Sequence, residues 1–211
     1  MDNIKNLLFD VDGTILDTRE FILQATEHAL STLGYFVPDR KIIASNVGKS
    51  FPDYYFSLTG SSKDTDKLIE THRDFHYKNY NLAVPFLGAV EALRELKKRG
   101  YKMSAITTRS KKTALQTLIN CGIYELFDVV LCGEDAKELK PNPAPLFQAI
   151  ELLGGSPETS VMIGDSHLDI EAGKNAGTKT IRAVYGFHAD NLKNPEPDFC
   201  INSISDLLRL L

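Results

Sequence analysis

Short apolar runs and amphipathic stretches alternate along most of this chain. Apolar runs predict strands at 7–9, 103–106, 127–131, 160–163 and 179–184. Apolar positions with helical spacing predict helices at 89–99, 110–120, 144–153 and 168–175. A short edge strand at 199–201 and a closing helix at 204–211 are predicted at the C-terminal end. This regular β-α-β succession favours an α/β fold in which helices cover both faces of a parallel sheet.

A helical insert interrupts this pattern after the first strand. The residues from Ile15 to Leu33 have helical spacing and end at Gly34, and residues 35–80 continue in shorter helical pieces. About four helices between two strands indicate a separate helical unit. The segment 84–88, punctuated by Pro85 and Gly88, marks the return to the β-α-β pattern.

Two histidines of the insert, His72 and His76, lie four residues apart, a spacing that can hold a metal ion when further ligands converge. No other ligand candidate nearby in the sequence completes such a site, and Arg73 and Lys78 make the segment cationic. We therefore expect a solvent-exposed helix face here rather than a metal site.

Composition narrows the class of protein. A length of 211 residues suffices for one core, or for a core and a smaller insert. The net charge of −4 argues against nucleic acid or an anionic membrane as the main partner. No apolar run reaches transmembrane length and the N-terminus lacks the layout of a signal peptide, so we expect a cytoplasmic protein. Three widely spaced cysteines indicate small buried side chains rather than a disulfide framework or a zinc site: Cys121, Cys132 and Cys200.

The first strand ends in a pair of carboxylates, Asp10 and Asp12, followed by Gly13. Residues two apart in a strand point to the same side, and the carboxyl end of a strand is where open α/β sheets bind ligands. Two like charges this close repel unless a cation lies between them or one holds a proton. The pair therefore predicts either a hard-metal site with divided nucleophile and acid roles, or an ordinary turn with two solvated aspartates.

Further polar groups follow other predicted strands. Thr107 and Thr108 follow the strand at 103–106, and their hydroxyls can hold an anionic oxygen. Asp165 and Asp169 follow the strand at 160–163, and Lys140 precedes a segment rigidified by two prolines. These positions predict a polar site at one edge of the sheet.

Each of these residues also has an ordinary structural interpretation. Thr107 and Ser166 are suitable helix caps, Lys140 is one of many lysines, and Asp165 is a common loop residue. Their joint occurrence, in order and mostly at strand ends, favours function over these separate explanations.

Four segments, read in order, resemble the four signature motifs of the haloacid dehalogenase superfamily. They are Asp10-Val11-Asp12-Gly13-Thr14, the strand-end Thr107, Lys140-Pro141-Asn142-Pro143 and Gly164-Asp165-Ser166-His167-Leu168-Asp169. The resemblance implies a doubly wound, Rossmann-like α/β core formed by about 1–14 and 84–211. It also implies an inserted all-helical cap at 15–83, and a magnesium-dependent site for phosphoryl transfer.

The same resemblance implies catalytic roles. Asp10 would attack phosphorus and form an aspartyl-phosphate, a known route of carboxylate catalysis. Asp12 would protonate the leaving alcohol and later deprotonate water. Thr107 and Lys140, with Thr108 beside them, would bind phosphate oxygens.

The implied Mg²⁺ would be bound by Asp10, by the backbone carbonyl of Asp12 and by Asp165. Asp169 would assist through a water molecule or by orienting Lys140. A metal ion is required because an anionic nucleophile must approach an anionic phosphate.

The resemblance indicates the chemistry better than the substrate. An acid at Asp12 argues against the dehalogenase and phosphonate-hydrolase branches, which lack one there. Relatives of the β-phosphoglucomutase type have a histidine shortly after the first motif, whereas residues 18–23 contain none and His28 comes too late. We therefore expect a phosphatase of the phosphoglycolate phosphatase-like kind. A phosphomutase and a non-catalytic regulatory protein remain as alternatives.

Substrate choice is expected to depend on the cap. The segment Ser45-Asn46-Val47-Gly48-Lys49-Ser50 offers a flexible glycine and several hydrogen-bond donors. Lys49 is the candidate substrate-binding residue, and an ordinary helix–helix connection with an exposed lysine is the alternative. The expected partner is a small-molecule phosphate ester.

Overall fold

The computed structural model describes residues 1, 3–187 and 195–211. The strands in these ranges are β1 (Asn6–Phe9), β2 (Leu16–Asp17), β3 (Val84–Pro85), β4 (Lys102–Ile106), β5 (Val129–Leu131), β6 (Ser160–Gly164), β7 (Lys179–Ala183) and β8 (Phe199–Ile201). The α-helices are α1 (Arg19–Thr32), α2 (Arg40–Ser45), α3 (Phe51–Thr59), α4 (Thr65–Lys78), α5 (Ala89–Lys98), α6 (Lys111–Asn120), α7 (Ala144–Leu153), α8 (His167–Ala176) and α9 (Leu207–Leu210).

A six-stranded parallel sheet forms the core, in the order β5-β4-β1-β6-β7-β8. The chain builds outward from β1 to β4 and β5, and then crosses to the other side of β1 with β6. The carboxyl ends of β1 and β6 therefore flank a topological switch point, which is where doubly wound sheets bind ligands. The predicted Rossmann-like α/β class is confirmed.

The sheet is buried on both faces. In β1, Leu7 and Phe9 pack in one apolar cluster with residues of α5, while Leu8 packs in a second cluster with residues of α7 and α8. This alternation follows from the two-residue period of a strand, and explains why residues 7–9 of β1 form an unbroken apolar run. Within the described ranges, no helix is long and apolar enough to cross a membrane.

The first predicted helix begins later than expected. The prediction placed helical spacing from Ile15, but α1 begins at Arg19, because Leu16 and Asp17 pair antiparallel with Val84 and Pro85. The backbone N–H groups of both Ile15 and Leu16 donate to the carbonyl of Val11 at 3.0 Å, which turns the chain back before the helix begins. The two-stranded ribbon of β2 and β3 thus pairs the segment where the chain leaves the sheet for the insert with the segment where it returns.

The helices α1 to α4 lie between β2 and β3 in sequence and have an apolar cluster of their own. Its buried members are Leu23, Ala29, Leu30, Ile43, Tyr54, Tyr55 and Leu68. We propose on this basis that 15–83 is a cap domain on the core formed by 1–14 and 84–211.

The expectation of an exposed histidine face in α4 is wrong. His72 and His76 are only 1% and 5% exposed. The Nδ1 atom of His72 lies 2.8 Å from the hydroxyl of Tyr55, and the ring of His76 stacks on Phe21 at 3.9 Å. Burial lowers the pKa of His72 to about 3 and also depresses that of His76, so both are neutral at pH 7. This face of α4 packs against α1 and α3, a contact that local sequence does not show.

The cysteine expectation holds in part. Cys132 is buried and Cys121 is half-buried, but Cys200 is exposed because β8 is the edge strand of the sheet. All three are free thiols.

Candidate active site

Three adjacent strands place the candidate residues together. Asp10 follows β1, Thr107 follows β4 and Asp165 follows β6. Because β4 and β6 are the two neighbours of β1, their carboxyl ends meet at one edge. Sequence alone predicted the strand ends, and the strand order now explains why these three residues are neighbours.

Lys140 links two of the carboxylates. Its Nζ donates to Oδ1 of Asp10 and to Oδ1 of Asp169, both at 2.6 Å, and to the carbonyl of Ile106 at 3.2 Å. The Lys140 side chain is 5% exposed. Burial disfavours its charged form, but the two carboxylates outweigh that effect and raise the pKa of Lys140, so the ammonium keeps its proton. Lys140 is thus a fixed positive charge at the base of the site.

The ionised form of Asp10 is disfavoured in this arrangement. Burial raises its pKa most, Lys140 lowers it, and the negative charges of Asp169 and Asp12 raise it again, to about 7. One lysine therefore does not compensate the buried negative charge of the site. A further cation would stabilise the ionised form of Asp10.

A metal ion fits the donors present here. Asp10, Asp165 and Asp169 each offer a carboxylate oxygen, and these three atoms lie within 4.8 Å of one another. Hard oxygen donors of this kind suit Mg²⁺ or Ca²⁺ rather than a soft thiophilic ion. The uncompensated charge on Asp10 and the all-carboxylate donor set both fit a divalent cation.

Asp169 already accepts hydrogen bonds through both of its carboxylate oxygens. Asp169 accepts from Lys140 through Oδ1 and from the Ser166 hydroxyl through Oδ2, the latter at 2.6 Å. Oδ2 also accepts from the Ser166 backbone N–H at 3.1 Å, within the capping box that begins α8. These contacts favour a role for Asp169 in orienting Lys140 over a role as a direct metal ligand.

Gly13 leaves room for Asp165. Its φ of +85° is a left-handed conformation that side chains rarely adopt, and a Cβ there would lie 2.5 Å from Oδ2 of Asp165. The same Oδ2 accepts from the backbone N–H of Phe187 at 2.6 Å. The glycine after Asp12 thus allows β1 and the loop after β6 to approach closely.

Asp12 has a partner that the sequence analysis missed. Arg109 donates through Nε to Oδ2 of Asp12 at 2.8 Å and through Nη2 to Oδ1 at 2.6 Å. The sequence does offer a signal, because Arg109 comes two residues after the strand-end Thr107. Local sequence does not predict the pair, because the Arg109 side chain reaches across the sheet edge to the residues that follow β1.

The two threonines take different places. Thr108 lines a cavity over Asp10 and Lys140, whereas Thr107 is 4% exposed and does not line it. The Thr107 hydroxyl accepts from the backbone N–H of Arg109 at 3.2 Å. It therefore helps to order the loop in which Arg109 lies, and its phosphate-binding role stays a prediction.

A cavity of about 690 Å³ lies over these residues. Asp10, Asp12 and Lys140 line it from the core, and Lys49 lines it from the loop between α2 and α3. The Nζ of Lys49 donates to Oδ1 of Asn46 at 2.7 Å and to the Ser57 hydroxyl at 2.9 Å. No salt bridge to Lys49 occurs among the described residues.

Comparisons with known proteins show that the chain resembles one family of hydrolases over most of its length. A family model described as haloacid dehalogenase-like hydrolase matches residues 7–183. A Bacillus cereus (strain G9842) protein named pyrophosphatase PpaX is 37% identical over 210 residues, which cover 99% of this chain and 96% of that protein.

Two solved structures illustrate the likeness of fold. A haloacid dehalogenase-like hydrolase from Bacteroides fragilis superposes with a TM-score of 0.87 at 27% identity, covering 97% of this chain and 99% of that one. A haloacid dehalogenase-like family hydrolase from Streptococcus pneumoniae has a TM-score of 0.90 at 24% identity, covering 100% and 99%. The second likeness, at this identity, concerns the fold alone.

Proposed function

The chain belongs to the haloacid dehalogenase-like hydrolase family and is a phosphatase, and we propose that it acts with Mg²⁺ through an aspartyl-phosphate on Asp10. The observation that supports this most directly is the cluster of Asp10, Lys140 and Asp165 at adjacent strand ends, open to a cavity. It combines a nucleophile, a fixed cation and a metal-binding carboxylate.

The proposed reaction has two halves. In the first, a carboxylate oxygen of Asp10 forms a bond to phosphorus while the bond from phosphorus to the leaving-group oxygen breaks. Asp12 gives its proton to that oxygen. In the second, water attacks the same phosphorus, Asp12 takes the proton from water, the bond to Asp10 breaks and orthophosphate leaves.

The remaining groups bind and orient the phosphate. Lys140 holds one oxygen of Asp10 and offers positive charge to the transferring group, where negative charge spreads in the transition state. Thr108, and Thr107 if its hydroxyl turns toward the substrate, would donate to phosphate oxygens. Asp10, Asp165 and the backbone carbonyl of Asp12 would bind Mg²⁺, which supplies charge that lets a carboxylate approach a phosphate.

Two substrate classes are candidates for this site. The motifs favour a small phosphate monoester, whereas the name of the Bacillus cereus relative favours pyrophosphate as the second candidate. Phosphate release from a panel of monoesters and from pyrophosphate, with Mg²⁺, would test the proposal. Release from some member of the panel supports it, and no release from any member contradicts it.

A phosphomutase is the alternative reaction. It is disfavoured because residues 18–23, directly after the first motif, contain no histidine. The same panel would reveal it, because a mutase would convert a sugar phosphate into its isomer without releasing stoichiometric phosphate.

Lys49 is proposed to select the substrate from the cap side. Lys49→Ala should lower kcat/KM for the preferred substrate by about tenfold to a hundredfold, the scale of one charged contact. The loss for p-nitrophenyl phosphate should be much smaller, because its leaving group has no anionic part for Lys49 to hold. Steady-state kinetics with both substrates measure the difference.

A matched variant controls for general effects of charge on the cap. Lys63 is an exposed lysine of the same helical insert that does not line the cavity, so Lys63→Ala should leave the ratio of the two kcat/KM values as in the wild type. Equal losses for both substrates in Lys49→Ala, or no loss for either, would remove Lys49 from this role.

A further inference from the structure

Apolar side chains of the helical insert border the active-site cavity. Four half-buried residues line the cavity from four different segments of the insert. They are Ile22 of α1, Val47 of the loop between α2 and α3, Phe51 of α3 and Ile69 of α4. We call these four residues the apolar roof of the cavity. The core lines the same cavity with the candidate catalytic groups, so the two parts of the protein present different chemistry to a substrate.

The apolar roof is supported from behind by the core of the insert. Val47, Phe51 and Ile69 pack against the apolar cluster formed by α1 to α4. The Phe51 ring also meets the ring of the buried His72 edge-on, with 4.9 Å between the ring centres. These roof residues therefore have protein on one side and the cavity on the other, which makes the roof a preformed surface rather than a set of loose side chains.

The buried polar residues of the insert add no charge to this surface. The hydroxyl of Tyr54 lies 2.7 Å from that of Thr26, and Nδ1 of His72 lies 2.8 Å from the hydroxyl of Tyr55. Burial lowers the pKa of His72 and of His76, so both rings are neutral at pH 7. Among the described residues, the charged side chains with which the insert lines the cavity are all exposed: Lys49, Asp66, Glu70, Arg73 and Asp74.

The size of the cavity and the chemistry of the roof point to the same kind of leaving group. A volume of about 690 Å³ lies within the range of roughly 300–1,000 Å³ that is typical of sites for drug-sized organic ligands. A transferring phosphate group fills only a small part of it. An inorganic leaving group has no apolar atoms to place against the roof, and it would lose hydration there without compensation. An organic leaving group gains free energy when it buries apolar surface on the roof.

We propose that the apolar roof binds the apolar part of an organic leaving group, so that the preferred substrate is a phosphate monoester of an alcohol with several carbon atoms. This inference rests on the proposed function and deepens it by naming the chemical class of the leaving group. Lys49 lies two residues after Val47 in the same loop, so a polar or anionic end of that leaving group can reach Lys49 while its carbon atoms lie against the roof.

A series of primary alkyl phosphates from methyl to butyl phosphate tests the roof in the wild-type protein. The leaving alcohols have nearly the same acidity, so chemical reactivity changes little along the series, while each added methylene group offers more apolar surface. With Mg²⁺ present, kcat/KM should rise by about twofold to fourfold for each methylene group. Values that stay level or fall from methyl to butyl phosphate would overturn the proposal.

A double variant makes the roof polar with little change of shape. In Val47→Thr/Ile69→Thr, the gain in kcat/KM for each methylene group should be largely lost, whereas kcat/KM for pyrophosphate, which has no apolar atom, should stay within about twofold of the wild type. Ile42 is 51% exposed on α2 and does not line the cavity, so the control Ile42→Thr should keep the full gain. An unchanged gain in the double variant, or an equal loss in the control, would contradict the role of the roof.

Binding without turnover separates this inference from the proposed function. Calorimetry on Asp10→Asn with Mg²⁺ should show that butyl phosphate binds about tenfold to fiftyfold more tightly than methyl phosphate, because three more methylene groups are buried. Equal affinities, or no binding of either ester, would overturn the inference. Graded affinities together with no turnover of any ester by the wild-type protein would overturn the proposed function and leave the binding role of the roof standing.

Discussion

Asp10→Asn is expected to abolish phosphate release, with a loss of kcat on the order of 10⁴-fold or more, as for other covalent nucleophiles. The amide cannot form the aspartyl-phosphate, while its size and shape preserve the packing at the end of β1. Phosphate release under saturating substrate and Mg²⁺ measures the effect. Near wild-type activity in a variant free of deamidation would contradict the assignment.

An exposed aspartate close in sequence offers a control. Asp17 is exposed and accepts from the backbone N–H of Arg19, so Asp17→Asn should retain wild-type turnover. Loss of activity in both variants would point to a general effect on the segment between β1 and α1 rather than to a nucleophile at Asp10.

The metal-free Asp10→Asn protein should also fold at least as stably as the wild type at neutral pH. Burial, opposed by Lys140 and reinforced by Asp169 and Asp12, raises the pKa of Asp10 from 3.8 to about 7. A raised carboxyl pKa contributes stability that is present below pH 3.8 and is lost as the pH rises through about 7. The difference in melting temperature should therefore shift in favour of the variant between pH 4 and pH 7, and stay level above it.

Removal of divalent metal is expected to abolish activity reversibly. The charge around Asp10 and the three converging carboxylates both favour binding of a cation, which would offset the repulsion that an anionic substrate meets there. Activity should vanish after chelation and return with Mg²⁺. Calcium should inhibit, because its looser and higher coordination lets a carboxylate bind with both oxygens and spoils the line of attack. Full activity after thorough chelation would refute the metal requirement.

Asp165→Asn tests the metal site apart from turnover. The variant should bind Mg²⁺ at least about tenfold more weakly, and Mg²⁺ should raise its melting temperature less than that of the wild type. Asp66 lines the same cavity from α4 and is exposed, so Asp66→Asn should behave like the wild type in both measurements. Equal weakening in both variants would show a diffuse effect of charge instead of a ligand.

Local sequence was sufficient for much of the fold. The strand run Leu7-Leu8-Phe9 and the helix 144–153 were predicted from the apolar pattern, because a strand buried on both faces is apolar throughout and a helix that covers a sheet has a 3.6-residue period. The start of α1 was not, since helical spacing at Ile15 says nothing about the pairing of β2 with β3. Pairing between distant segments is decided by what the rest of the chain places beside them.

The amino-acid sequence of this protein shows which chemical groups follow its strands: two aspartates after β1, hydroxyls after β4, and two more carboxylates after β6. Which of these groups are in contact became clear from the folded chain. It gave Lys140 to Asp10 and Asp169, paired Arg109 with Asp12, and buried His72 and His76 against α1 and α3. The physical reason is that side-chain identity and strand ends are local properties, whereas ion pairs and burial depend on which residues, up to 130 positions apart for Lys140 and Asp10, the folded chain brings within a few ångströms.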